Sequence, residues 1–320
     1  MDSNVSKNTN SHNFFKISVD RQKLDISVKN LLKQELLFRL DVYQQKFKVE
    51  IKHELVANIL EDKIFLVNHK KQPESEPENA LTSGSANRLA RFVYGCPIGF
   101  YLCKVLHSSP SIIVRRLGAI KSELAKIEGK SNLELWGEIA ASGWIYFPLD
   151  DCFISSWLEQ LLQSECFRRV SIVRDTAERT KNSRLFSAQY VSARCCSLLR
   201  LAIKEKAIAL SQTGQMPRID WLDRDGSLLL SEPTEIDLLR QLLKVSDFWV
   251  ERDRQHQWSK LVLDLSETTA VFLADCRFLG EVKHQHPQQA IARLGLIFLC
   301  QIWLEKILRQ KLGIAAPEAM

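Results

Sequence analysis

The stretch Gln189-Tyr190-Val191-Ser192-Ala193-Arg194-Cys195-Cys196-Ser197-Leu198-Leu199-Arg200 decides the reading of the fold. It lies inside a helix predicted over Ser187 to Leu210, with Tyr190 and Arg194 on one face, four residues apart. Downstream, almost every segment keeps the helical period. Helices are predicted over Pro233 to Leu243, Asp247 to Arg254, Lys260 to Cys276 and Gln288 to Leu312, the last closed by Gly313 as its C-cap residue. Helices this close in sequence pack as antiparallel neighbours in a bundle.

Upstream of this run lies a basic junction over residues 166–186. Arg168, Arg169, Arg174, Arg179, Lys181 and Arg184 stand there against Asp175 and Glu178, a net charge of +4. The junction is either a solvated face or a stripe that contacts a phosphate backbone. The whole chain carries +6 with an isoelectric point near 8.8, a mild bias toward anionic partners.

Residues 14–165 mix periods. Leu31 to Phe47 carries Leu32, Leu36, Leu37, Leu40 and Tyr43 at helical spacing, whereas Phe47 to Ile51 and Ile64 to Val67 alternate like short strands. Residues 70–85, rich in Pro, Glu, Ser and Gly, read as an exposed loop. Arg88 to Lys104 reads as an apolar helix broken near Gly95, Pro97 and Gly99. Pro110 opens a helix, Ser111 to Ile127, with Ser109 as N-cap. Gly143 to Leu149 reads as a strand and Asp151 to Leu162 as a helix. The expected fold class is therefore an α+β N-terminal domain (14–165) followed by an all-α helical bundle (187–320), behind a polar tail at residues 1–13.

Other classes find little support. The eight cysteines show no CxxC spacing and read as reduced, buried thiols of a cytoplasmic protein. His284 and His286 lack a third ligand at metal spacing, so no metal is expected. The most apolar run, Ile291 to Leu308, contains Arg293, Gln301, Glu305 and Lys306 and reads as an amphipathic helix rather than a membrane span. No GxGxxG or P-loop occurs, and no cofactor is expected.

Four patches together resemble the anticodon-binding (DALR) domain of arginyl-tRNA synthetases. The stretch from Gln189 to Arg200 resembles that family's Gln-Tyr-Ala-His-Ala-Arg helix, with Ser192 in place of the His. Glu232 to Phe248 resembles its Pro-x-Glu start leading into Leu-Leu repeats. Phe272 to Leu279 ends Cys276-Arg277-Phe278-Leu279, like the family's Cys-Arg-Val-Leu. The fourth patch runs from Ala292 and Arg293 to Leu312-Gly313-Ile314-Ala315-Ala316-Pro317-Glu318-Ala319-Met320, like a family ending in which Ala319 would be Arg. A weaker likeness joins Leu102 to Leu124, and Ser142 to Leu162, to the synthetase N-terminal domain that contacts the tRNA elbow; Tyr146 stands where that family has Asn.

The resemblance implies tRNA as partner, with arginine tRNA the first candidate. It places Tyr190, Arg194 and Met320 near the anticodon loop, and Arg200 beside them. Residue chemistry alone leaves Tyr190 open as a core tyrosine, Arg194 as half of an internal ion pair, and Arg200 as a salt bridge within the bundle. The substitutions at Ser192 and Ala319 count against arginine specificity. They leave room for a module repurposed to bind a protein partner. The motifs of synthetase chemistry are missing from this sequence: none of its seven histidines forms His-x-Gly-His, and Met216 precedes Pro217 rather than a Ser-Lys loop. An arginine–tRNA ligase label would fit the family but not these residues, and no catalytic residue is expected.

Overall fold

A computed structural model describes residues 27–67, 91–120, 138–139, 143–164, 185–208, 216–251 and 257–319. The expected tail at 1–13, the loop at 70–85 and the junction arginines and lysine from Arg168 to Arg184 lie outside the described residues.

The N-terminal part begins with α1 (Val28–Phe47) and α2 (His53–Lys63), followed by β1 (Phe65–Leu66), β2 (Phe92–Cys96), α3 (Ile98–Leu106), α4 (Pro110–Gly118), β3 (Glu138–Ile139), β4 (Ile145–Leu149) and α5 (Asp151–Gln163). The four strands form one antiparallel sheet in the order β1-β2-β4-β3. Phe92, Tyr94 and Cys96 on β2 face the core together with Ile145, Phe147 and Leu149 on β4. The outer face carries Trp144 stacked on Tyr146 at 5.8 Å, with Phe65 edge-on to Trp144 at 5.7 Å. Gly95 makes this possible, because a Cβ there would press into the Trp144 ring at 3.3 Å.

Three expectations fail here. Phe47 to Ile51 is not a strand: Phe47 ends α1, Lys48 adopts a left-handed conformation (φ 52°) and the residues to Ile51 are coil. The helix α2 follows it unforeseen. Arg88 to Lys104 is not one broken helix: Phe-Val-Tyr-Gly-Cys is a strand paired on both sides, and only the segment after Pro97 is helical. Aromatic and β-branched residues in a run too short to show a period fit a buried strand as well as a helix. Helix α4 starts at Pro110 as expected and ends at Gly118. Ser109 precedes it without a side-chain capping bond.

The C-terminal part is α6 (Phe186–Lys204), α7 (Pro233–Val250), α8 (Trp258–Asp275), the short α9 (Glu281–Gln285) and α10 (Pro287–Lys306), the last continued by a π-helical turn at Ile307–Lys311. Helix α7 is continuous where two helices were expected. A capping box of Glu232 and Glu235 with Pro233 in the first turn starts it, and no breaker lies between Leu243 and Asp247. Gly313 adopts φ 65°, as a C-cap residue should. Helix α10 is not amphipathic. Every residue from Ala292 to Leu304 is buried, including Arg293 and Gln301, so it is the central rod of the bundle. Among the described residues no helix is long and apolar enough to cross a membrane.

The two parts meet around one buried carboxylate. Asp247 on α7 accepts hydrogen bonds from the Ser27 hydroxyl (2.8 Å), the Lys29 backbone N–H (2.9 Å) and the Tyr94 hydroxyl (2.6 Å). Lys29 also pairs with Glu251. Burial pushes the Asp247 carboxyl up to about 6, against the opposite pull of those three donors. Nearby, Arg240 donates to the Arg91 carbonyl (2.6 Å), and Arg91 to that of Leu230 (3.3 Å).

Candidate nucleic-acid interface

Helix α6 has two faces of different chemistry. One packs inward through Ala188, Val191, Ala193, Cys195, Cys196, Leu199 and Ala202. The other exposes Phe186, Tyr190, Arg194, Ser197 and Arg200, spaced by three or four residues and hence aligned along one side. The helix contains no Asp or Glu in its 19 residues, while Arg194, Arg200 and Lys204 are all basic.

Tyr190 is 48% exposed, which removes the core-tyrosine alternative. Phe186, one turn earlier, is 55% exposed and lies nearly parallel to it, with ring centroids 6.5 Å apart and planes inclined by 21°. Arg194 has no hydrogen bond or ion pair among the described residues. Arg200 is different. It donates to the Glu318 carbonyl (2.7 Å) and to the Ser197 hydroxyl (3.2 Å), and its guanidinium lies 3.8 Å from the Glu318 carboxylate.

Arg200 thus helps fasten the C-terminal segment along α6. Gln189 donates to the Ala315 carbonyl (2.7 Å) and Arg309 to that of Ala316 (3.4 Å). Ala319 is exposed at the end of this segment, and Met320 lies outside the described residues. Ser192 is 1% exposed and faces the core. The position at which this chain departs from the resembled family's His is therefore in the core rather than on the outer face.

The other patches are joined beneath this face. Arg293 on α10 pairs with Glu235 on α7 at 2.6 Å, and both are buried. The same guanidinium donates to the Arg277 carbonyl at 2.6 Å. Glu235 also accepts the Glu232 backbone N–H at 2.9 Å. The Pro-x-Glu start, the Cys-Arg segment and the Ala-Arg of α10 are thus three sides of one buried ionic joint. The likeness in these patches is structural, and only that on α6 and the terminal segment reaches the surface. Burial pushes the thiols of Cys195 and Cys300 upward, that of Cys300 to about 12, so they act as small apolar groups.

A family model described as the DALR anticodon binding domain matches residues 188–320. Residues 188–320 are thus similar to the DALR anticodon binding domain. The chain is also similar to arginine–tRNA ligases. It is 31% identical over 166 residues to that of Gloeobacter violaceus, covering 50% of this chain and 26% of the ligase. It is 29% identical over 140 residues to that of Moorella thermoacetica, covering 42% and 22%. The Synechococcus sp. ligase is 30% identical over 134 residues, covering 41% and 21%. The chain thus matches about a quarter of the length of these curated relatives. No solved structure matches it. Helix α6 lies at the start of the matched region, and the segment fastened by Gln189 and Arg200 lies at its end. Of the residues expected at the site, the fold brings Tyr190, Arg194 and Arg200 to one face. Phe186 was missed, because the helix was expected to begin at Ser187 and 186 was assigned to the junction, whereas α6 begins at Phe186.

Proposed function

We propose that this chain is a non-catalytic tRNA-binding protein that reads the anticodon region through the exposed face of α6. The observation that carries this reading is the character of that face. It is aromatic and basic, α6 itself carries no acidic residue, and the helix lies in the region matched by the DALR model. RNA loops are read by stacking unpaired bases on aromatic rings and by hydrogen-bonding their edges, while basic groups hold the phosphates. Tyr190 would stack a base and Arg194 would meet a phosphate or base edge. Arg200 would act mainly by fixing the terminal segment that carries Met320 toward the loop. The basic junction from Arg168 to Arg184 would add backbone contacts. The outer sheet face, with Phe65, Trp144 and Tyr146, is a candidate for a second contact outside the anticodon. Division into an N-terminal domain over 14–165 and a bundle over 187–320 belongs to the same proposal, with arginine tRNA as the first substrate to try.

The test is a titration of the full chain with arginine tRNA, an anticodon-substituted version and an unrelated tRNA, each at two salt concentrations. Preference for the intact anticodon is expected, with affinity falling as salt rises. Equal, weak binding to all three would refute an anticodon reader. An ATP-dependent charging assay tests the non-catalytic part of the reading: aminoacylation above background would overturn it.

A further inference from the structure

We infer that Phe186 and Tyr190 form an open aromatic slot for one unpaired nucleobase, a purine in preference, with Phe186 a stacking residue in its own right. This rests on the reading of α6 as an RNA-facing helix and adds to it a ligand and a residue.

Both rings project from the same side of α6, four residues apart. Their planes are within 21° of parallel, and their centroids are separated by 6.5 Å. That separation is well beyond the ~3.5–4.0 Å of two carbons in contact. It is close to two nucleotide rises of ~3.4 Å each. A flat ring system can therefore lie against both side chains, and bases can also stack on their outer sides. The larger π surface of a purine covers more of both rings.

Exposure gives a second argument. Several large aromatic residues of this bundle, Trp221, Trp303, Phe272 and Phe298 among them, are fully buried. Phe186 and Tyr190 are both about half exposed. Leaving two adjacent aromatic rings in water forgoes burial that the fold obtains elsewhere. The Tyr190 hydroxyl has no hydrogen-bond partner among the described residues, so it is open to a base edge.

Charge selects the ligand. With no acidic residue on α6 and Arg194 one turn beyond Tyr190, the slot offers π faces beside a cation. A nucleotide supplies the matching base and phosphate.

The experiment uses the full chain and tRNA-derived stem-loops carrying 2-aminopurine at one unpaired position at a time. Stacking quenches this fluorophore. One position is expected to be quenched on binding. Phe186→Leu should relieve that quenching and weaken binding about tenfold, while Phe186→Trp restores both. Arg194→Ala should weaken binding and its salt dependence but leave the quenching in the residual complex. If Phe186→Leu binds and quenches like the parent while Tyr190→Leu loses both, the slot is refuted and the RNA reading of α6 survives. If the parent chain binds no stem-loop, the reading beneath it falls as well.

Discussion

Replacing Arg293 with Met would strip the buried joint of its cation while roughly keeping side-chain length. The Glu235 carboxylate, 0% exposed, would lose the guanidinium 2.6 Å away and keep only the Glu232 N–H. The Arg277 carbonyl would lose its donor at 2.6 Å. Removing one partner of a buried ion pair costs about 3–5 kcal/mol, because the remaining charge stays desolvated. The orphaned carbonyl falls within that range rather than adding fully to it, since both losses occur at one guanidinium. Urea unfolding of Arg293→Met should therefore show a loss of about 4 kcal/mol at unchanged slope. Combining Arg293→Met with Glu235→Gln should recover more than half of the loss, because the stranded charge is gone while the amide can still accept the Glu232 N–H. A single-variant loss below about 1 kcal/mol, or a double variant no better than the single one, would refute the argument that these patches form a joint.

Two further outcomes follow from the packing. The Asp247 carboxyl titrates in the fold at about 6, above the ordinary 3.8, so its protonated form is favoured by folding. Its contribution is complete below about pH 4 and is lost as pH rises through 6, a change on the order of 3 kcal/mol. Asp247→Asn should remove that pH dependence, seen as convergence of the two urea midpoints at low pH and their separation at pH 7, with the variant the more stable there. Gly295→Ala would set a Cβ 2.5 Å from Ile219 and 2.6 Å from Trp221. The overpacking should cost about 1–3 kcal/mol, outweighing the roughly 1 kcal/mol gained in helix propensity, and a lowered thermal midpoint checks it.

The helical period carried the C-terminal half well because its helices are long and a 3.6-residue stripe has room to repeat. It failed where elements are short. Phe92 to Cys96 spans five residues, too few to separate strand from helix, and its strand character comes from partners at Phe65 and Ile145 to Leu149 that are distant in sequence. Helix α10 misled for the opposite reason. Its polar residues suggested a wet side, but Arg293 is neutralised by a Glu 58 positions away. At the site, spacing made legible that Tyr190 and Arg194 share one helix face, while the role expected of them came from the family resemblance. The inward position of Ser192 was not, because a serine fits either face of a helix until its neighbours are known.

The terminal segment is held through its main chain. Gln189, Arg200 and Arg309 all grip carbonyl oxygens, those of Ala315, Glu318 and Ala316. A carbonyl is present whatever the residue, so the strap's course is largely indifferent to its own spelling. Ala316, 6% exposed, is the position where size is restricted. Letters such as Ala319 can change freely without moving the strap, and this edge of the helix can be rewritten for a new ligand while its frame stays put.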